Sequence, residues 1–202
     1  MDLLLIRHAL PVPSAAEDGA DPPLAELGAL MAARLPSSLR RHGVTRIFSS
    51  PQKRAYQTAR AVADDSGLAI QVDERLAEYD HGLSAYVPVE QMRAEDPGKL
   101  ARLVAGELPD GVDANAFRHR VITAADELVA ESSRTDVVAV FSHGGVINVL
   151  LQRALDTPRI FPFPIDYVSV THVRHAASGK AIVLGVNNIE HVWDLLPRLS
   201  RQ

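Results

Sequence analysis

The sequence predicts an α/β fold, a three-layer α/β/α sandwich around a mostly parallel, mixed sheet. Three observations predict it. Short apolar runs, too short for helices, alternate with segments of helical period, the pattern of crossover connections between parallel strands. The most apolar run, Asp136–Phe141, has the continuous character of a strand buried on both faces. Near the end of the chain, two strand-like segments flank Ser178-Gly179, a hairpin that makes the sheet mixed.

The elements follow in order. Leu3–Ile6 reads as a first buried strand. Pro11 and Pro13 stop regular structure, and Val12–Pro23 has the composition of a loop. From Leu24 the spacing of Leu27, Leu30, Met31 and Leu35 predicts a helix, ended by Pro36. Val44–Phe48 is a second strand. Ser49 or Ser50 then stands ready to cap a helix with Pro51 in its first turn and Gly67 as its stop. Ala69–Val72 is a third short strand. The stretch from Glu78 to Gly111 is rich in Gly and Pro and reads as an insertion with short helices, a cap-like piece at about 82–111 in an otherwise single domain spanning 1–202. Ala114–Glu131 is a long helix with Phe117, Val121, Ala125, Leu128 and Val129 on one face. A helix follows His143-Gly144-Gly145 through Leu151, and Tyr167–Val173 and Ala181–Val186 form the terminal hairpin.

Composition narrows the function classes. The chain has 202 residues, 47% of them hydrophobic and 23% charged, the balance of an ordinary globular protein. A net charge of −4 argues against a nucleic-acid partner, so any anion must be held by a local pocket. The absence of cysteine excludes disulfides, thiolate catalysis and cysteine metal sites. No other metal-ligand spacing is present: His172 and His175 fall on opposite faces of a strand. No metal or cofactor is expected. No apolar run is long enough for a signal peptide or a membrane helix, so a cytoplasmic protein without membrane contact is expected. The terminal hairpin offers an edge on which a homodimer could form.

Four polar features lie just past the ends of predicted strands, where ligand sites form in open α/β sheets. They are Arg7-His8, Arg54, Glu78 and His143-Gly144-Gly145. Two arginines supply forked donors for phosphate oxygens. Of two histidines in such a pocket, one can stay neutral and attack phosphorus, and the other can stay protonated and donate to the equatorial oxygens. A carboxyl whose pKa is raised by burial can protonate the leaving oxygen. Asp80 and Glu74 compete with Glu78 for that role. These parts suit phosphoryl transfer through a phosphohistidine, with fixed protein donors holding the charge. Tyr86, Met92 and Arg93 in the insertion could touch a substrate, but packing or capping explains them as well.

The motifs resemble those of the histidine phosphatase superfamily, the phosphoglycerate mutase-like family. Arg7-His8-Ala9 looks like its Arg-His-Gly signature. Pro23-Leu24-Ala25-Glu26-Leu27-Gly28 is similar to its Leu-Thr-x-x-Gly helix start. Ser49-Ser50-Pro51-Gln52-Lys53-Arg54-Ala55-Tyr56-Gln57-Thr58-Ala59 is close to its Ser-Ser-Pro-x-x-Arg-Ala-x-Gln-Thr-Ala stretch. Leu76-Ala77-Glu78 with Gly82, and Val140-Phe141-Ser142-His143-Gly144-Gly145, resemble the acid and second-histidine segments. They come in family order over residues 3 to about 150. The resemblance implies that His8 is the phosphorylated nucleophile, that Arg7, Arg54 and His143 hold the phosphate, and that Glu78 is general acid and then base. It implies a small phosphorylated substrate, with phosphoglycerate mutase and a non-catalytic phospho-ligand binder as alternatives. Three features depart from the pattern. Ala9 replaces the usual glycine. Ala25 replaces a capping threonine, leaving Asp21 as a substitute cap. Where the mutase branch typically has Ser and Asn soon after Arg-His-Gly, this chain reads Leu10-Pro11-Val12-Pro13-Ser14, which weakens the mutase reading.

Overall fold

The computed structural model describes residues 1–13, 21–83, 87, 89–158, 161 and 163–197, without the side chains of Val89, Glu90, Arg93 and Val104. Six strands, β1 (Asp2–Arg7), β2 (Arg46–Ser49), β3 (Ile70–Val72), β4 (Val137–Ser142), β5 (Val170–His175) and β6 (Ala181–Asn188), form one sheet in the order β3-β2-β4-β1-β5-β6. The β1–β4, β2–β4 and β2–β3 pairs are parallel, and β5 and β6 join antiparallel. The sheet is therefore mixed, as the hairpin requires.

β1 lies near the middle, which explains its unbroken apolar run. Leu4 and Ile6 pack on one face with residues of α1 (Glu26–Ala32), α2 (Leu35–Leu39) and α3 (Lys53–Ser66). Leu3 and Leu5 pack on the other with α6 (Ala114–Glu131) and α7 (Gly144–Leu155). Each such leucine contributes about 2 kcal/mol by leaving water. The expected insertion carries two short helices, α4 (Val89–Glu95) and α5 (Pro97–Val104).

Several details differ from expectation. The helix predicted from Leu24 to Pro36 is two helices, because α1 stops at Ala32 and Pro36 sits in the first turn of α2. Proline lacks only an N–H that a first turn does not use, so it starts a helix as readily as it stops one. Leu30, expected on the buried face, is 56% exposed, and α1 buries Gly28, Met31 and Ala32. On α6 the buried face runs through Ala124 and not Ala125. Of the loop expected at Val12–Pro23, residues 14–20 lie outside the described residues, among them Ser14, while Pro11 and Leu24 at its base form a bridge.

The topology creates a crevice at one place. β1 and β4 are parallel neighbours, but the chain leaves β1 for α1 on one face and leaves β4 for α7 on the other. Helices that depart to opposite faces open a cleft at the carboxyl ends of the two strands. His8 and His143 are the first residues past those ends.

Candidate active site

The backbone sets the first histidine. His8 N–H donates to the Ser142 carbonyl at 2.9 Å, and Ala9 N–H donates to Thr58 Oγ1 at 2.9 Å. His8 Nδ1 lies 2.8 Å from the Ala9 carbonyl oxygen. A carbonyl only accepts, so Nδ1 carries the hydrogen and Nε2 keeps its lone pair. Burial, then the charges of Arg54 and Arg7, hold the His8 pKa well below 6.5. The ring is neutral at neutral pH, as a nitrogen nucleophile must be. Ala9 packs in the core with both backbone polar groups engaged and no left-handed φ, so no glycine is needed there.

Arg7 donates through Nη1 to the Ile165 carbonyl, and its Cζ sits 4.0 Å above the Tyr167 ring. The same ring lies 5.7 Å from that of His8. Tyr167 therefore braces both residues, yet nothing in its sequence neighbourhood announces this. The next residue, Val168, has φ +50, a costly conformation for a β-branched side chain, on the order of 1–2 kcal/mol. It is held there by full burial and by its N–H bond to the Arg7 carbonyl at 3.1 Å.

β4 delivers the second histidine at the head of α7. The His143 ring centroid is 5.1 Å from that of His8, and its Nε2 is 2.8 Å from Ser50 Oγ. Burial, followed by Arg54, His8, Arg7 and Arg120, pushes its pKa well below 6.5. The expectation of a protonated second histidine is thus not met by the protein alone, since two cationic arginines already occupy the pocket. A phosphate dianion would favour the charged form.

Arg54 and Glu78 face each other across a third wall. Arg54 is fully buried in the first turn of α3, and its Nη2 contacts Asp80 Oδ1 and Oδ2 at 3.1 and 3.0 Å. Glu78 Oε2 accepts from Gly145 N–H at 2.8 Å and Oε1 from Tyr79 N–H at 3.0 Å. Burial first, then the Asp80 charge, push the Glu78 pKa up to about 7, against the pull of those hydrogen bonds and of Arg54. A methyl at Gly145 would overlap the Glu78 carboxylate, so glycine lets the carboxylate sit where it does. Glu74 is exposed in a 3-10 turn at Glu74–Leu76, and Asp80 is taken by Arg54, which leaves Glu78 as the carboxyl able to hold a proton.

All five residues singled out from the sequence, Arg7, His8, Arg54, Glu78 and His143, are buried around this crevice. The supporting residues were not foreseen. Gln52 was an unassigned position within a motif; it accepts from Glu78 N–H at 2.7 Å and donates to Asp80 at 3.0 Å. Arg120 reaches from α6 to the carbonyls of Arg75, Ala77 and Glu78 at 2.7, 2.7 and 3.0 Å. Ser50, expected as a helix cap, meets His143 and accepts from Gln52 N–H at 3.3 Å, while the N-cap of α3 is Gln52, whose side chain makes no capping bond. Asp21, expected to cap the helix after Leu24, accepts from Lys53 N–H at 2.7 Å and so serves α3. In the insertion, Met92 is buried and lines a cavity of about 340 Å³ with Tyr79, Lys99, Arg102 and Leu108; Tyr86 lies outside the described residues. Among the described residues, no group of three or more His, Asp or Glu side chains could hold a metal ion. No helix among them is long and apolar enough to cross a membrane.

Comparison with known proteins gives the family and the fold. The family model described as "Histidine phosphatase superfamily (branch 1)" matches residues 3–188. The "Probable phosphoglycerate mutase GpmB" of Yersinia pestis is 28% identical over 165 residues, covering 78% of this chain and 76% of that protein. The native structure of a mycobacterial glucosyl-3-phosphoglycerate phosphatase superposes with a TM-score of 0.78 at 27% identity, covering 93% of this chain and 98% of that one. Bacillus stearothermophilus YhfR shares the fold with a TM-score of 0.76 at 23% identity, over 95% and 98% of the two chains.

Proposed function

The chain belongs to the histidine phosphatase superfamily, and from that premise we propose that it is a metal-independent phosphatase that hydrolyses a small phosphate monoester through a phosphohistidine on His8. The observation that carries the reading is the pairing of a neutral His8, its hydrogen fixed on Nδ1, with a buried carboxyl able to keep a proton near neutral pH.

In the first step His8 Nε2 attacks phosphorus, the N–P bond forms and the P–O bond to the alcohol breaks. Glu78 gives its proton to the departing oxygen. In the second step Glu78 takes a proton from water, the water oxygen bonds to phosphorus, and the N–P bond breaks. Phosphate leaves, and His8 and Glu78 return to their starting protonation. Arg7, Arg54 and His143 hold the equatorial oxygens with fixed donors, which stabilise charge without reorganising during the reaction. Nothing in this scheme requires a nucleic acid or a membrane.

Phosphate release from p-nitrophenyl phosphate in excess EDTA tests the reading. Wild type is expected to turn over and His8→Ala is not. A folded His8→Ala protein with normal activity would overturn it. A mutase reading is favoured by one finding, the similarity to proteins named phosphoglycerate mutase. Supplying 3-phosphoglycerate separates the two: the phosphatase yields free phosphate, the mutase an isomer.

A further inference from the structure

Asp80 sits where the two charged halves of the pocket meet. Its carboxylate binds Arg54 Nη2 through both oxygens and accepts from Gln52 Nε2. The other end of the same Gln52 amide accepts from the Glu78 backbone N–H. All four residues are buried. One amide thus bridges from the residue that fixes the arginine to the backbone of the proton donor.

We propose that Asp80 and Gln52 are a positioning pair that ties the phosphate-binding arginine to the proton donor. The proposal rests on Glu78 acting as the acid of the phosphatase reading. Asp80 performs two tasks with one charge. It fixes Arg54 through Nη2 with both carboxylate oxygens. It also stands as a like charge beside Glu78, which favours the protonated acid. Gln52 keeps the Asp80 carboxylate in register with the Glu78 backbone, since a neutral amide donates to one and accepts from the other without adding charge. The charged groups facing Glu78 are Asp80 on its own loop, Arg54 from α3 and Arg120 from α6, with the Gly145 N–H from α7. The two arginines oppose protonation; burial first, and then the Asp80 charge, counter them.

The pH profile of Asp80→Asn on two substrates tests the pair. Glycerol phosphate needs the acid because an alkoxide leaves poorly; p-nitrophenyl phosphate needs it less. The alkaline limb of kcat/KM for glycerol phosphate is expected to move down by about 1 in pH, with a roughly tenfold loss at about pH 8. The loss on p-nitrophenyl phosphate is expected to be smaller. A profile that superposes on wild type, or an equal loss on both substrates at every pH, would overturn the pair. Should Asp80→Asn not fold, Gln52→Leu keeps the Arg54–Asp80 contact and removes only the bridge. It is expected to lower kcat on glycerol phosphate while leaving inhibition by inorganic phosphate within about twofold; equal effects on both would overturn the bridge. If wild type cleaves neither ester, the phosphatase reading falls by itself. The infrared carbonyl band of protonated Glu78, assigned by its loss in Glu78→Gln, then tests the pair. A band that titrates at the same pH in wild type and Asp80→Asn would count against it.

Discussion

The nucleophile side of the pocket and the acid side are held by different means. His8 and Arg7 stand at the end of a central strand, and main-chain bonds to Ser142 and Ser169 fix their backbone. Glu78 stands on a loop after a 3-10 turn, and two side chains from elsewhere in the chain hold it: Gln52 from just before α3 and Arg120 from α6. The strand end is rigid because neighbouring strands already satisfy its backbone. The loop has no ladder, so its carbonyls and N–H groups need side-chain partners. The acid side is therefore the more sensitive to substitution at a distance.

The largest expected effect falls on the nucleophile side. His8→Ala should reduce phosphate release by about 10³-fold or more while keeping the fold, as checked by activity and a thermal melt. On the acid side, Glu78→Gln should lower kcat on an alkyl phosphate by about 10²–10⁴-fold. It should also change the pH dependence of stability. The folded state keeps the Glu78 proton up to about pH 7, whereas the unfolded chain loses it near 4.5. Wild-type stability from this group is therefore full below 4.5, falls as pH rises to about 7 and is flat above. Urea melts should show Glu78→Gln gaining on wild type across that window, by up to about 3 kcal/mol. Equal curves at every pH would erase the contrast between the two sides.

Tyr167→Leu keeps an apolar brace but removes the ring face under Arg7. Loss of a desolvated cation–π contact worth about 2 kcal/mol should weaken vanadate inhibition by about tenfold or more, and the smaller side chain in the core should also lower the unfolding temperature. The smallest effect is expected away from both sides. Arg60 pairs with Asp64 on the exposed face of α3 at 3.4 Å, and Arg60→Ala should shift stability by less than about 0.5 kcal/mol and leave turnover unchanged.

What could be read in advance follows the same division. Leu3–Ile6 was legible as a strand because burial on both faces leaves no polar position, and Ala114–Glu131 because its apolar period never breaks. The five site residues were legible because each follows a strand end within a motif. Pro36 misled, since proline fits a helix start and a helix stop alike. Arg120 and Tyr167 gave no signal. One acts on backbone carbonyls 42 to 45 residues away and the other through a ring face, and neither leaves a local pattern.

Gly145 separates two fates for this architecture. Its bare Cα gives the acid its seat, while the arginines and both histidines lie elsewhere around the crevice. A single methyl at this position would evict the Glu78 carboxylate and leave the anion cradle standing. On the phosphatase reading, the step from an enzyme to a receptor that recognises phosphorylated molecules without consuming them is, in this chain, one carbon atom long.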